Sequence, residues 1–134
     1  MILYADDSSV ARRQIETVLT RMKLPFVGSK TGREAWEQLR ILSQRARSEG
    51  TPIRQKVAAV LTDLEMPEMD GFMLTRQIKD DDLLKDVPVV VHSSLSGAAN
   101  ESHASRVGAD GFVAKFAPDE LAHALSRVLI TPAH

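Results

Sequence analysis

One feature constrains this chain more than any other: short, mainly apolar and non-alternating runs alternate with longer segments whose apolar residues fall at helical spacing. The runs are Ile2–Ala5, Phe26–Gly28, Val57–Leu61, Val87–His92 and Gly111–Ala114. A strand with no polar face must be covered on both sides, which points to a parallel sheet between two layers of helix. Between the runs, Val10, Ala11, Ile15, Val18, Leu19 and Met22 share a helical face. So do Ala35, Leu39, Leu42 and Ala46, and later Leu121, Leu125, Val128 and Leu129. Phe72, Leu74 and Ile78 mark a shorter helix after Asp70-Gly71, and Ala98–Val107 reads as the weakest helix, with few large anchors. Five strands alternating with five helices predict a doubly wound α/β domain with a parallel sheet. The polar stretch Ser43–Lys56 reads as the end of the second helix followed by a surface loop.

Length and composition narrow the function more than the fold. A chain of 134 residues suits one domain, 1–134, and buries enough surface to need no staple. The absence of cysteine excludes disulfide frameworks, thiol catalysis and Cys-ligated zinc. A formal net charge of -1 argues against a nucleic-acid binder that works by bulk basicity. The longest apolar run, around Val87–Val91, is far too short to span a membrane, and Met1–Asp7 lacks the basic start of a signal peptide.

In an open parallel sheet, ligands bind beyond the carboxyl ends of the strands. The residues standing there are Asp6 and Asp7 after the first run, Asp63 and then Glu65 after the third, Ser93 and Ser94 after the fourth, and Lys115 after the fifth. Each has an ordinary explanation alone. Asp7 or Ser8 suits a helix cap, as does Asp70; the serines suit loop hydroxyls, and Lys115 a surface lysine. Their convergence on one edge is what calls for chemistry. Clustered carboxylates repel and raise one another's pKa, a cost that a hard divalent cation removes; an oxygen-only donor set suits Mg²⁺. With a lysine and a hydroxyl opposite, the group is suited to phosphoryl transfer, with Asp63 as the nucleophile.

Several motifs carry a family resemblance. Asp6-Asp7-Ser8, the run Thr62 to Gly71 (TDLEMPEMDG), Ser93, and Phe112-Val113-Ala114-Lys115 resemble the receiver domain of two-component response regulators, over Ile2 to about Leu129. The stretch His92–Gly97 with Asn100, and Val107–Phe116, is similar to the receiver of CheV-type chemotaxis coupling proteins. The resemblance implies strand order 2-1-3-4-5 in a flavodoxin-like fold, for which a chemotaxis receiver is a standing example. It implies that Asp63 accepts a phosphoryl group from a histidine kinase of the chemotaxis type, in a domain that is not a turnover enzyme. By the same resemblance, Asp6, Asp7, Asp63 and the main-chain carbonyl of Glu65 hold Mg²⁺, and Lys115 contacts the phosphoryl oxygens. Ser93 and Phe112 take the switch positions. The output surface is then the fourth helix, fifth strand and fifth helix, with His103, Arg106 and His123 on it. In that family a CheW-like domain precedes the receiver, so the expectation is a domain cut from a longer cytoplasmic chain that serves a chemoreceptor and coupling-protein array.

Three departures bear on mechanism. Phe116 follows Lys115 where most receivers have proline, and a cis bond there would cost about 3 kcal/mol. The switch hydroxyl is Ser rather than Thr, and Phe112 has no hydroxyl to donate. Leu95, two residues after Ser93, is expected to hinder water and so slow phosphoryl loss. One alternative is a stand-alone single-domain response regulator outside chemotaxis; the enzymatic one is a haloacid-dehalogenase-type Mg²⁺-dependent phosphohydrolase, which needs an early Asp-x-Asp, whereas Asp63-Leu64-Glu65 lies mid-chain. A flavin-binding domain of this fold is opposed by Asp6-Asp7 where a phosphate loop belongs; a degenerate receiver is opposed by competent residues at all five positions, Asp6, Asp7, Asp63, Ser93 and Lys115.

Overall fold

The computed structural model of the chain describes residues 1–94, 97–115 and 117–129. Strands β1 (Ile2–Ala5), β2 (Phe26–Ser29), β3 (Ala59–Thr62), β4 (Val89–Ser93) and β5 (Gly111–Ala114) form one sheet in the order β2-β1-β3-β4-β5, parallel throughout. The helices are α1 (Ser9–Arg21), α2 (Gly32–Glu49), α3 (Ile53–Lys56), α4 (Gly71–Asp80), α5 (Ala98–Arg106) and α6 (Pro118–Leu129).

The uniform apolarity of the strands resolves into two faces. Ile2 and Tyr4 of β1, with Ala59, Leu61, Val90 and Val113, join Ile15, Val18 and Leu19 of α1 and Leu121, Leu125 and Val128 of α6. Leu3 and Ala5, with Val60 and Val89, join Ala35 and Leu39 of α2 and Leu74 and Ile78 of α4. Alternate side chains therefore serve opposite layers, which is why no strand shows a polar face. A third, smaller cluster of Leu64, Val91 and Ala104, with Phe72, Ala109 and Phe112 against it, seats α5 near the β4–β5 edge.

The expected order and layers are found, with local differences that have local causes. A sixth helix, the single turn α3, occupies part of the segment read as loop; Pro52 starts it with φ −62°, and Ile53 packs on the α2 side of the core. Val57 and Val87 are fully buried yet precede their strands. The N–H of Val57 is taken by Ile53 O, and Pro88 has no N–H to give a ladder, although its carbonyl accepts from Val60 N at 2.9 Å. Val10 is 56% exposed, off the Ala11–Ile15–Val18 stripe that faces the core. Helix α5 keeps only Ala104 buried and has no side-chain cap at Gly97, as its weak pattern anticipates. Among the described residues, no helix is long and apolar enough to cross a membrane.

Candidate functional site

The site is built by carrying the ladder one residue past the strand ends. Asp6 N donates to Ser29 O at 3.0 Å, Asp63 N to Ala5 O at 2.9 Å, and Lys115 N to Ser93 O at 2.9 Å. Asp6, Asp63 and Lys115 are thereby held by main-chain bonds at one edge before their side chains make any contact.

The side chains then meet. Lys115 Nζ lies 2.7 Å from Asp6 Oδ2 and 3.4 Å from Asp63 Oδ2, with the lysine side chain 6% exposed. The other oxygens are held by main-chain donors: Ser8 N to Asp6 Oδ1 at 2.9 Å and Leu64 N to Asp63 Oδ1 at 2.8 Å. Arg12 Nη1 donates to the Asp6 carbonyl at 3.0 Å. Asp6 and Asp63 are buried and Asp7 is exposed, yet each of the three offers a carboxylate oxygen within 4.8 Å of the others. Burial first, and the Asp6 charge second, push the Asp63 carboxyl above its ordinary value; Lys115 and the Leu64 N–H offset only part of this. One ammonium against three carboxylates leaves the cleft negative, and the donors are all hard oxygens.

The loop after Asp63 is tied to the body at short range. Gly71 N donates to Leu64 O at 2.9 Å, and a Cβ at Gly71 would stand 2.0 Å from the Asp63 carbonyl oxygen. A Cβ at Gly32, the start of α2, would stand 2.1 Å from Met69 O. Asp70 Oδ1 caps α4 by accepting from Met73 N at 2.8 Å, so its ordinary reading holds; Ser8, not Asp7, caps α1. An open cleft results, bordered by Asp7, Asp63, Glu65, Phe72, Ser94 and Lys115.

Ser93 is buried at the end of β4, next to the Lys115 backbone. Phe112 is half-buried in the cluster that seats α5. His103 and Arg106 border a groove with Arg76 and Asp80 of α4, whereas His123 borders a separate groove with Phe112 on the α6 side. Leu95 and the Lys115–Phe116 bond lie outside the described residues.

Two contributors escape sequence reasoning. His92 is 3% exposed, and burial, then the Lys115 charge, pushes its imidazole down to about 4, so it is neutral beside the site at neutral pH. Its place at the end of an all-apolar run was the available signal. Phe72 serves both as a cleft wall and as a stacking partner of His103, with ring centroids 3.8 Å apart and planes 17° from parallel. No spacing rule points to that contact.

Known proteins resemble this chain in sequence and in fold. The sequence model of the response regulator receiver domain matches residues 2–126. Chemotaxis protein CheV1 of Helicobacter pylori is 30% identical over 128 residues, 96% of this chain and 37% of that protein. The chain spans between 34% and 40% of the three CheV relatives it matches. Chemotaxis protein CheY1 of the same organism is 30% identical over 132 residues, covering 97% of both chains. A receiver domain of the sensor histidine kinase PA1611 from Pseudomonas aeruginosa, solved with a magnesium ion in its active-site cleft, superimposes with a TM-score of 0.76 at 23% identity, covering 97% of each chain.

Proposed function

The chain belongs to the response regulator receiver domain family, and from that premise we propose that it is a phosphoacceptor module whose Asp63 takes a phosphoryl group from a histidine kinase. The observation that carries this is the convergence of Asp6, Asp7 and Asp63 on Lys115 at the carboxyl edge of the sheet, with Asp63 buried but bordering an open cleft. The CheV and CheY relatives support a place in chemotaxis signalling, with the kinase of that system as donor and a receptor and coupling-protein array reached through a longer cytoplasmic chain bearing a CheW-like domain.

A carboxylate oxygen of Asp63 attacks the phosphorus, the P–N bond to the donor histidine breaks, and its electron pair stays on the imidazole nitrogen, which takes up a proton. Lys115 holds the transferred oxygens by charge from the position where it now bridges Asp6 and Asp63. Asp6, Asp7 and Asp63 offer an all-oxygen donor set that fits Mg²⁺, to which the resemblance adds the Glu65 carbonyl, and when bound the ion would neutralise charge on the phosphoryl oxygens. Loss of the group occurs by water attack and restores the carboxylate, so the domain is labelled once rather than turning over substrate. Ser93 moves to donate to the new oxygens, and Phe112 repacks against the cluster beneath α5. The face formed by α5, β5 and α6, with His103, Arg106 and His123, carries the output.

The test is the intact mass of the chain after incubation with acetyl phosphate and Mg²⁺, compared with Asp63→Asn. A gain of one phosphoryl group in the wild type only is the expected result. No gain in the wild type, with a control receiver labelled in the same tube, refutes the reading.

A further inference from the structure

The Phe72–His103 stack joins two parts of the molecule that sequence keeps apart. Phe72, in the first turn of α4, borders the same cleft as Asp63 and Lys115. It also packs on the cluster containing Leu64, whose N–H holds Asp63 Oδ1. Its ring lies flat on the imidazole of His103 from α5. Among the described residues, Ala104 is the one buried residue of α5, and Gly97 at its start has φ +122° and caps nothing with a side chain. The imidazole, on a residue otherwise exposed, joins Ala104 in holding α5 against α4. The charged groups facing it, Arg76 and Asp80 of α4 and Arg106 of its own helix, are exposed to solvent, and exposed charges pair weakly. Ring contact, rather than charge, is the interaction on offer.

We propose that His103 is a positioning residue for the phosphoryl chemistry at Asp63, acting through the stacked ring of Phe72. With the stack made, Phe72 stands as the apolar wall of the cleft. When α5 moves outward the imidazole leaves, Phe72 gains rotameric freedom, and the wall opens to water. Water oxygen then attacks the phosphorus, the P–O bond to Asp63 breaks, and the carboxylate departs with its electron pair; orthophosphate keeps the water's oxygen and one of its protons, and the other passes to solvent. Displacement of α5 therefore shortens the life of the phosphoryl group, and contacts that hold α5 in place lengthen it. The proposal rests on Asp63 being the phosphoacceptor.

The experiment measures the half-life of the phosphoryl group on the whole 134-residue chain in wild type, His103→Ala, His103→Phe, Phe72→Leu and the double variant His103→Ala with Phe72→Leu. A stacked aromatic pair corresponds to about a two- to tenfold effect. His103→Ala is expected to lose the group about two- to tenfold faster, and His103→Phe, which keeps the ring without the proton, to return the wild-type half-life. Phe72→Leu is expected to match His103→Ala, and the double variant to be no worse than either, since one contact is broken in all three. An unchanged half-life in His103→Ala overturns the proposal, as does failure of His103→Phe to restore it, or additive effects in the double variant. A wild type that takes up no phosphoryl group overturns this proposal and the reading of Asp63 together, whereas labelling with equal half-lives overturns this proposal alone.

Discussion

Replacing Gly71 by alanine sets two ordinary effects against each other. By helix propensity alone the change is favourable: alanine in place of glycine inside a helix is worth roughly 0.5–1 kcal/mol, part of it from the unfolded chain. Contact geometry says the opposite. The new methyl would stand 2.0 Å from Asp63 O and 2.9 Å from Leu64 Cα. Both are backbone atoms, so no side-chain rotation relieves the overlap, and one segment must shift by on the order of an ångström. Overpacking of that kind costs typically about 1–3 kcal/mol. The shift also strains the Gly71 N–H bond to Leu64 O, 2.9 Å long and worth about 1 kcal/mol. The cost exceeds the propensity gain, so Gly71→Ala is expected to lower stability by about 2 kcal/mol. Urea unfolding followed by circular dichroism measures this, with an unchanged m-value required for the comparison. Gly50→Ala serves as a contrast: it meets nothing within 4 Å, and only its φ of +68° is strained, for a cost of about 1 kcal/mol. The displacement in Gly71→Ala falls on the Asp63 carbonyl itself, so labelling by acetyl phosphate should slow as well. A Gly71→Ala variant as stable as the wild type, or more so, refutes the close-approach argument.

Two pH-linked outcomes follow from the buried groups. Asp63 has a folded pKa above its unfolded one, so its ionisation opposes folding, and the contribution is lost as pH rises from about 4 through the folded value. In EDTA, Asp63→Asn should therefore be more stable than the wild type at pH 7.5, with the gap closing toward pH 4; millimolar Mg²⁺ should narrow it at pH 7.5 by binding the wild-type site. Equal stabilities at pH 7.5 in EDTA would contradict the burial argument. His92 has the reverse sign: its folded value of about 4 lies below the unfolded one, so stability is complete above pH 6.5 and falls by on the order of 3 kcal/mol as pH drops to 4. His92→Gln should flatten that part of the stability profile, and a profile as steep as the wild type's would remove His92 as the cause.

Much of this was legible in the sequence because strand ends are legible. Once Ile2–Ala5 and Val57–Leu61 are taken as buried parallel strands, Asp6 and Asp63 have nowhere to be but the carboxyl edge. Which of Asp6 and Asp7 turns inward was not legible. Both are acids in one turn, and the choice depends on Ser8 N–H and Lys115 reaching the same carboxylate. The two faces of each strand were equally hidden, since Leu3 and Tyr4 look alike in hydropathy but serve opposite layers. Gly71 reads from sequence as a turn residue; its actual constraint is a carbonyl eight residues earlier. The Phe72–His103 stack depends on how α4 and α5 lie across from each other, which composition does not encode.

The end of α5 runs directly into a firmly anchored turn. Ala109 N donates to Ala104 O at 2.9 Å, Asp110 N donates to Val89 O at 2.7 Å, and Asp110 Oδ2 takes both Val89 N at 2.8 Å and Lys79 Nζ at 2.9 Å. A helix clamped at its C-terminal end pivots there as a lever rather than sliding. Nine residues give an arm of roughly 13 Å. A tilt of about 10° about the Gly108–Asp110 pivot then carries the start of the helix by roughly 2 Å while Asp110 stays fixed. Small angular changes at the pivot are thus amplified where α5 begins, on the side of the sheet edge that bears Asp63.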